Sequence, residues 1–310
     1  MNQPTLNYVL CPGAVRAEDA KGLPESMHRM AYWEWNTRCN DSGSPHVVVC
    51  AHGLTRQGRD FDVLAQTLSG YARVICPDVV GRGASDWLAN PMAYGIAQYV
   101  NDMLALLTHV NAQAPIHHLY WVGTSMGGLI GMCLAALPQL GIDGRLRRLV
   151  LNDVGPCLEP VALERIAAYV GQHMLFDSLE AAAAHLRALS QGFGPHSDAQ
   201  WMALTAPMLR VQSNGQYLLH YDPRIVEPMR AMTVQDAAQG QALLWAAYDT
   251  IQVPTLLLRG AQSDLLSAQT AQEMGQRGPR AHCVTLENVG HAPTLVDSKQ
   301  VQVVSGFLFG

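Results

Sequence analysis

The sequence predicts an α/β protein: a mostly parallel sheet covered by helices on both faces. Short apolar, β-branched runs alternate with helical patterns through the first half of the chain and again near its end. Several of these runs, such as 47–50 and 74–76, are apolar at successive positions, as strands buried on two faces are. Of the 310 residues, 49% are hydrophobic and only 15% are charged, so the chain has a large core to fill.

The elements follow in order. Residues 28–35 alternate loosely and suit an antiparallel edge strand, and 46–50 read as the first fully buried strand. Phe61, Leu64, Ala65 and Leu68 keep the i, i+3, i+4, i+7 spacing of a helix with one apolar face, and 73–76 form the next strand. A helix through Ile96, Val100, Met103, Leu104 and Leu107 leads to a strand at 119–122. Directly after it comes a helix carrying Met126, Leu129, Ile130, Cys133, Leu134 and Leu137, then a strand at 148–152. From 156 to 235 no core strand is evident; helical stretches at 161–170, 179–189 and 199–209 replace it. Asn214-Gly215, between Val211 and 217–219, suits a small hairpin. The first rhythm then resumes with a helix through Leu243, Leu244 and Ala247, strands at 254–258 and 282–286, and a terminal helix. The expected organisation is a core of 1–155 and 236–310, interrupted by a mostly helical insertion at 156–235.

Composition removes several functions. A net charge of −5 offers no basic footprint for a phosphate backbone, so no nucleic-acid partner is expected. The seven cysteines are scattered singly at 11, 39, 50, 76, 133, 157 and 283, an odd number with no C-x-x-C pair. A reducing, cytoplasmic setting fits them, and the first residues, Met1 to Leu6, lack the basic and apolar regions of a signal peptide. Residues 119–142 carry no charge, yet Gly123, Gly127, Gly128, Gly131, Pro138 and Gly141 break the run. It reads as strand, sharp turn and helix, not as a membrane span. Nothing in the sequence fixes an oligomeric state.

The break in that run carries the chemistry. Gly123-Thr124-Ser125-Met126-Gly127 is a G-x-S-x-G turn with an apolar strand running in and an amphipathic helix running out. Such a turn projects the serine hydroxyl at the carboxyl end of the sheet, beside a helix N-terminus that favours developing negative charge. A serine nucleophile needs a base, and the base an orienting acid. His291, in Asn288-Val289-Gly290-His291, follows the last strand and is the best base among twelve histidines. Two acids qualify, Asp264 after the strand at 254–258 and Asp153 after the strand at 148–152. Chain order and strand position favour Asp264, with Asp153 bonding the turn that launches the insertion. The backbone amides of Leu54, after His52-Gly53, and of Met126 are the expected oxyanion donors, and His52 braces its loop. The Gly-rich turn at 78–85 lacks dinucleotide-binding spacing and reads as structural. No histidine pair has a metal-ligand spacing, so neither metal nor cofactor is expected.

Taken as an ordered set, His52-Gly53, Pro77-Asp78 with Gly81, Gly83 and Ser85, Gly123 to Gly128, Asp264 and Gly290-His291 resemble the α/β-hydrolase fold superfamily. The likeness is to its cap-bearing esterase and lipase-like branch, which includes enol-lactonases and C–C bond hydrolases. It spans about residues 45 to 305 and implies a mainly parallel sheet of about eight strands, flanked by helices, with the insertion as a helical cap over the active site. It also implies a cofactor-independent serine esterase acting on a small-molecule ester, with Ser125, His291 and Asp264 as its triad. Trp201, Met202 and Met208 of the cap are expected substrate contacts, beside Met174, Phe176 and Met229, for a small to medium apolar acyl or aryl group. A lactone or C–C substrate would instead carry a carboxylate, for which Arg187 and Arg210 are the candidate partners; acyl transfer would use the same triad. A hydrolase-fold binding protein without chemistry would show a broken triad, and here every member is present.

Overall fold

The computed structural model describes residues 3–20, 22–36, 46–137 and 144–310; Met1, Asn2, Cys39 and the 138–142 end of the uncharged run lie outside them. The first half contains strands β1 (Thr5–Pro12), β2 (Met27–Trp35) and β3 (His46–Ala51), helix α1 (Asp62–Leu68), β4 (Arg73–Pro77), α2 (Ile96–Gln113), β5 (His118–Thr124), α3 (Met126–Ala135) and β6 (Leu146–Asn152). The insertion follows with α4 (Pro160–Tyr169), β7 (Leu175–Phe176), α5 (Leu179–Leu189), α6 (Asp198–Thr205), β8 (Leu209–Val211), β9 (Tyr217–Leu219) and α7 (Glu227–Ala231). The chain closes with α8 (Val234–Thr250), β10 (Thr255–Gly260), α9 (Ala268–Met274), β11 (His282–Leu286) and α10 (Ser298–Phe309).

Eight strands form one sheet in the order β1-β2-β4-β3-β5-β6-β10-β11. Pairing is antiparallel at β1–β2 and β2–β4 and parallel from β4 through to β11. Successive side chains of a strand point to opposite faces, which explains the uninterrupted apolar runs. Val47, Val49 and Ala51 join one core with Trp121, Leu149 and residues of α2 and α3, while Val48 and Cys50 join a second with Val122, Val150 and residues of α1 and α10. This is the α/β-hydrolase fold.

Two expectations are corrected. Residues 28–35 are not at the edge, because β1 pairs outside them. That strand hid in the sequence because only Val9 and Cys11 are buried, while Leu6, Tyr8 and Leu10 face solvent and blur the alternation. The helix expected over 199–209 ends at Thr205, just ahead of Pro207, and the chain enters β8 by way of a short 3₁₀ turn. The insertion carries the Asn-Gly hairpin expected from the sequence, formed by β8 and β9, and β7 adds a third antiparallel strand to it. Helix α8 starts at Val234, capped by Thr233, so the 235 boundary falls within its first turn. Among the described residues no helix is long and apolar enough to cross a membrane.

Parallel strands present all their carboxyl ends along one edge. The segments that follow β3, β5, β6, β10 and β11 therefore converge there, and the insertion, leaving after β6, lies over them. The turn at 78–85 is structural: the Asp78 carboxylate accepts from the amides of Gly58 (2.7 Å) and Ala84 (2.8 Å) and from the Trp33 indole (3.2 Å).

Candidate active site

Ser125 sits between β5 and α3 with φ of 51°, a left-handed conformation unusual for a residue with a side chain. The neighbouring glycines make that turn possible. A Cβ on Gly123 would strike the carbonyl of Gly127, and one on Gly127 would strike the carbonyl of Ala51 at the end of β3. The elbow is therefore wedged between two strands, and its strain is held by packing on both sides.

The hydroxyl lies 3.0 Å from His291 Nε2, and His291 Nδ1 lies 2.8 Å from Asp153 Oδ2. Asp153 is fully buried and also accepts from the Gly260 amide at 2.8 Å and the Ser263 hydroxyl at 2.7 Å. Three hydrogen-bond partners on one carboxylate fix its position. Asp264, the acid expected from the sequence, is elsewhere. Its carboxylate forks onto Arg165 of α4, at 2.7 and 3.0 Å, with about two-fifths of each side chain exposed. The reason is local to neighbouring strands: Asn152 of β6 pairs with Leu258 of β10, so both strand ends reach the imidazole's neighbourhood. Asp153 follows its strand directly, with its amide donating to Leu258 at 2.8 Å, whereas Asp264 comes four residues after β10 and reaches the cap.

Two amides complete the geometry. Of the four N–H groups that open α3, Gly127 donates to His52, and Gly128 and Leu129 donate to Ser125. Among the described residues the Met126 amide has no protein acceptor. His52 is fully buried, and its Nε2 accepts from the Val79 amide at 2.9 Å, so its Nδ1 carries the proton and donates to the Gly53 carbonyl at 2.7 Å. In a trans peptide the N–H of Leu54 must then point away from His52. Arg82, also fully buried, donates from Nε to the Leu54 carbonyl at 2.8 Å and fixes the next peptide as well. Burial pushes the His52 imidazole down to about 3, with Arg82 and Arg56 adding to the effect, so the ring stays neutral and has no free lone pair to act as a base.

Two cavities meet at Ser125. The first, about 110 Å³, is lined by His291, Arg56, Arg165, Tyr169, Phe193 and Met208 among others. The second, about 300 Å³, is lined by Tyr94, Met126, Leu129, Val154, Leu163 and Met229 among others, and is almost wholly apolar. Leu54, Ser125 and Ile166 belong to both walls. Of the cap residues expected at the substrate, Met208 lines the first cavity, Met229 the second, and Met174 a separate small cavity. Among the described residues Trp201 and Met202 line none of these. Trp201 is buried, its ring stacked on Phe193 at 6.0 Å, so it supports the wall from behind. Phe176 packs on His185. Arg187 pairs with Asp198 in solvent and Arg210 is exposed on β8; the arginines at the cavity are Arg56 and Arg165. A sequence signal for Arg165 existed: it lies one helical turn before Tyr169, which joins it in the wall.

A second histidine–carboxylate pair lies away from this site. Cys11, His28 and Asp102 are all buried, with their potential ligand atoms within 4.8 Å of one another. His28 engages the Gly13 carbonyl at 3.1 Å and Asp102 at 3.3 Å, so both of its nitrogens are already committed.

Residues 48–304 match the model of the Alpha/beta hydrolase family, and the chain belongs to that family. It is 47% identical over 290 residues to a 3-hydroxybutyrate-oligomer hydrolase from Cupriavidus necator, a match covering 93% of this chain and 95% of that one. It is 24% identical to a 2-(acetamidomethylene)succinate hydrolase from Mesorhizobium japonicum, over 81% of this chain and 83% of that protein. Among solved structures, an alpha/beta hydrolase from Novosphingobium aromaticivorans superposes with a TM-score of 0.78 at 34% identity, covering 99% of both chains.

Proposed function

We propose that the protein is a serine esterase that hydrolyses short linear oligomers of 3-hydroxybutyrate. The observation that carries this reading is the hydrogen-bonded chain from Ser125 through His291 to buried Asp153, on a strained elbow between two cavities. The substrate class is taken from the relative at 47% identity. His291 removes the Ser125 proton as Oγ attacks the ester carbonyl, and Asp153 holds the imidazole in register and stabilises the imidazolium. The amides of Leu54 and Met126 receive the oxyanion. The same His291 then hands its proton to the departing alcohol oxygen and later activates the water that cleaves the acyl-enzyme. We assign the protein to the cytoplasm, because Cys11, Cys50, Cys76, Cys133, Cys157 and Cys283 are free thiols.

The test is hydrolysis of 3-hydroxybutyrate dimer and trimer, with p-nitrophenyl butyrate as a generic ester, by wild type and Ser125→Ala. Turnover of the oligomers that falls at least about 10⁴-fold in the variant supports the reading. An inert wild type, or turnover that survives the substitution, overturns it.

A further inference from the structure

The two cavities at Ser125 differ in one chemically decisive residue. His291 lines the small one and not the large one. When the tetrahedral intermediate collapses, the ester C–O bond breaks and the imidazolium proton goes to the departing oxygen. The leaving group must therefore lie on the His291 side, in the small cavity, and the acyl group in the large apolar one. In a linear hydroxy-acid oligomer the leaving alcohol at the terminal bond carries the chain's free carboxylate. The small cavity is the one that holds guanidinium groups.

Of the two, Arg56 is committed. Its side chain is 11% exposed, it forks onto Asp60 at 2.6 and 2.7 Å, and it also donates to the Leu204 carbonyl. Asp60 is itself largely buried, so it could not rehydrate if it were displaced. Arg165 is different. It and Asp264 are 42% and 43% exposed, so Asp264 can return to water at little cost when another carboxylate takes its place. Tyr169, one turn on, lies in the same wall.

We propose that Arg165 binds the free carboxylate of the leaving hydroxy acid in exchange for Asp264, so that the enzyme cuts oligomers at the ester bond nearest their carboxyl end. This rests on the esterase reading above and adds a direction and a specificity residue to it. It assigns Asp264 the part of a competing occupant rather than of a catalytic acid.

The experiment compares the 3-hydroxybutyrate dimer as free acid and as methyl ester, in wild type, Arg165→Met, Arg165→Lys and Asp264→Asn. The ratio of kcat/KM for acid over methyl ester is read within each variant, so that differences in folding cancel. Arg165→Met lowers this ratio about tenfold, through KM, as loss of one charge-assisted pair does. Arg165→Lys restores part of it, and Asp264→Asn raises it. A trimer acetylated at its hydroxyl end releases free monomer first. A ratio indifferent to Arg165, or acetylated monomer as the first product, overturns the proposal while leaving the esterase intact. A wild type that cleaves neither dimer overturns the esterase reading, and this proposal with it.

Discussion

Single residues decide the chemistry, and two neighbouring carboxylates show how finely. Chain order and strand position favour Asp264, yet both acids follow the carboxyl end of a strand and both lie between Ser125 and His291, so the same cues admit Asp153. Position in space separates them: the imidazole proton faces Asp153 at 2.8 Å, and Asp264 faces Arg165. Asp153→Asn should lower kcat about 10³- to 10⁴-fold, because a neutral amide holds the wrong histidine tautomer. Asp264→Asn should keep a kcat at least about a hundredfold above that of Asp153→Asn, and steady-state kinetics on one oligomer decides between them. His52 acts at one remove, by turning the Gly53–Leu54 peptide. His52→Ala should lower kcat roughly 10- to 100-fold, as loss of one ordered oxyanion donor does, and change KM far less. A loss confined to KM would assign His52 to binding. The sequence marked Ser125 and the two amides through the turns that follow their strands, and His291 through its place directly after the last strand. The choice of acid and of cavity arginines was not legible, since it depends on which side chains meet across 99 to 138 positions of chain.

At the level of elements, the elbow is a packing device. Gly127 lets the start of α3 rest against the end of β3, where any Cβ would meet the Ala51 carbonyl. Gly127→Ala should cost at least about 3 kcal/mol or abolish soluble expression, because the Ala51 backbone it would meet is held in the central sheet. Gly240 is the contrasting case. It lies within α8 with nothing within 4 Å of an added Cβ, so Gly240→Ala should stabilise the fold by roughly 0.5–1 kcal/mol through helix propensity alone. Urea titrations of both variants give the comparison, and an equal response in the two would refute the packing argument. Elements with strong periodicity were readable from the chain, as β3, β5, α2 and α3 show. The strands β1 and β7 were not. The first exposes apolar residues on its outer face, and the second is two residues long and exists only because β9 lies alongside it.

At the scale of the molecule, two histidine–carboxylate pairs stand among the described residues, in different settings. Asp153–His291 stands beside Ser125 at the carboxyl edge of the sheet, and Asp102–His28 ties α2 to β2 in a fully buried setting. Burial alone would push the His28 imidazole down, but Asp102 on one nitrogen and the Gly13 carbonyl on the other outweigh it, and the net shift is upward. A raised imidazole contributes its full stabilisation below the ordinary value of 6.5 and loses it as pH climbs through the folded-state value. Unfolding free energy should therefore decline as pH climbs above the ordinary value of 6.5, and His28→Gln should both cost about 3 kcal/mol below that pH and flatten the slope. Denaturant titrations at three pH values test it, and an undiminished slope in His28→Gln would sink the assignment. The chain by itself determined the α/β rhythm, the interrupting segment and the nucleophile turn, because each is written in residues close together in sequence: hydrophobic period, glycine placement and flanking strand. Tertiary structure alone decided that Asp153 orients His291, that Arg56 and Arg165 rather than Arg187 and Arg210 reach the cavity, and that Trp201 stands behind its wall. Those outcomes depend on strand order and on how the cap lies over the sheet, and contacts between segments far apart in sequence leave no local pattern to read.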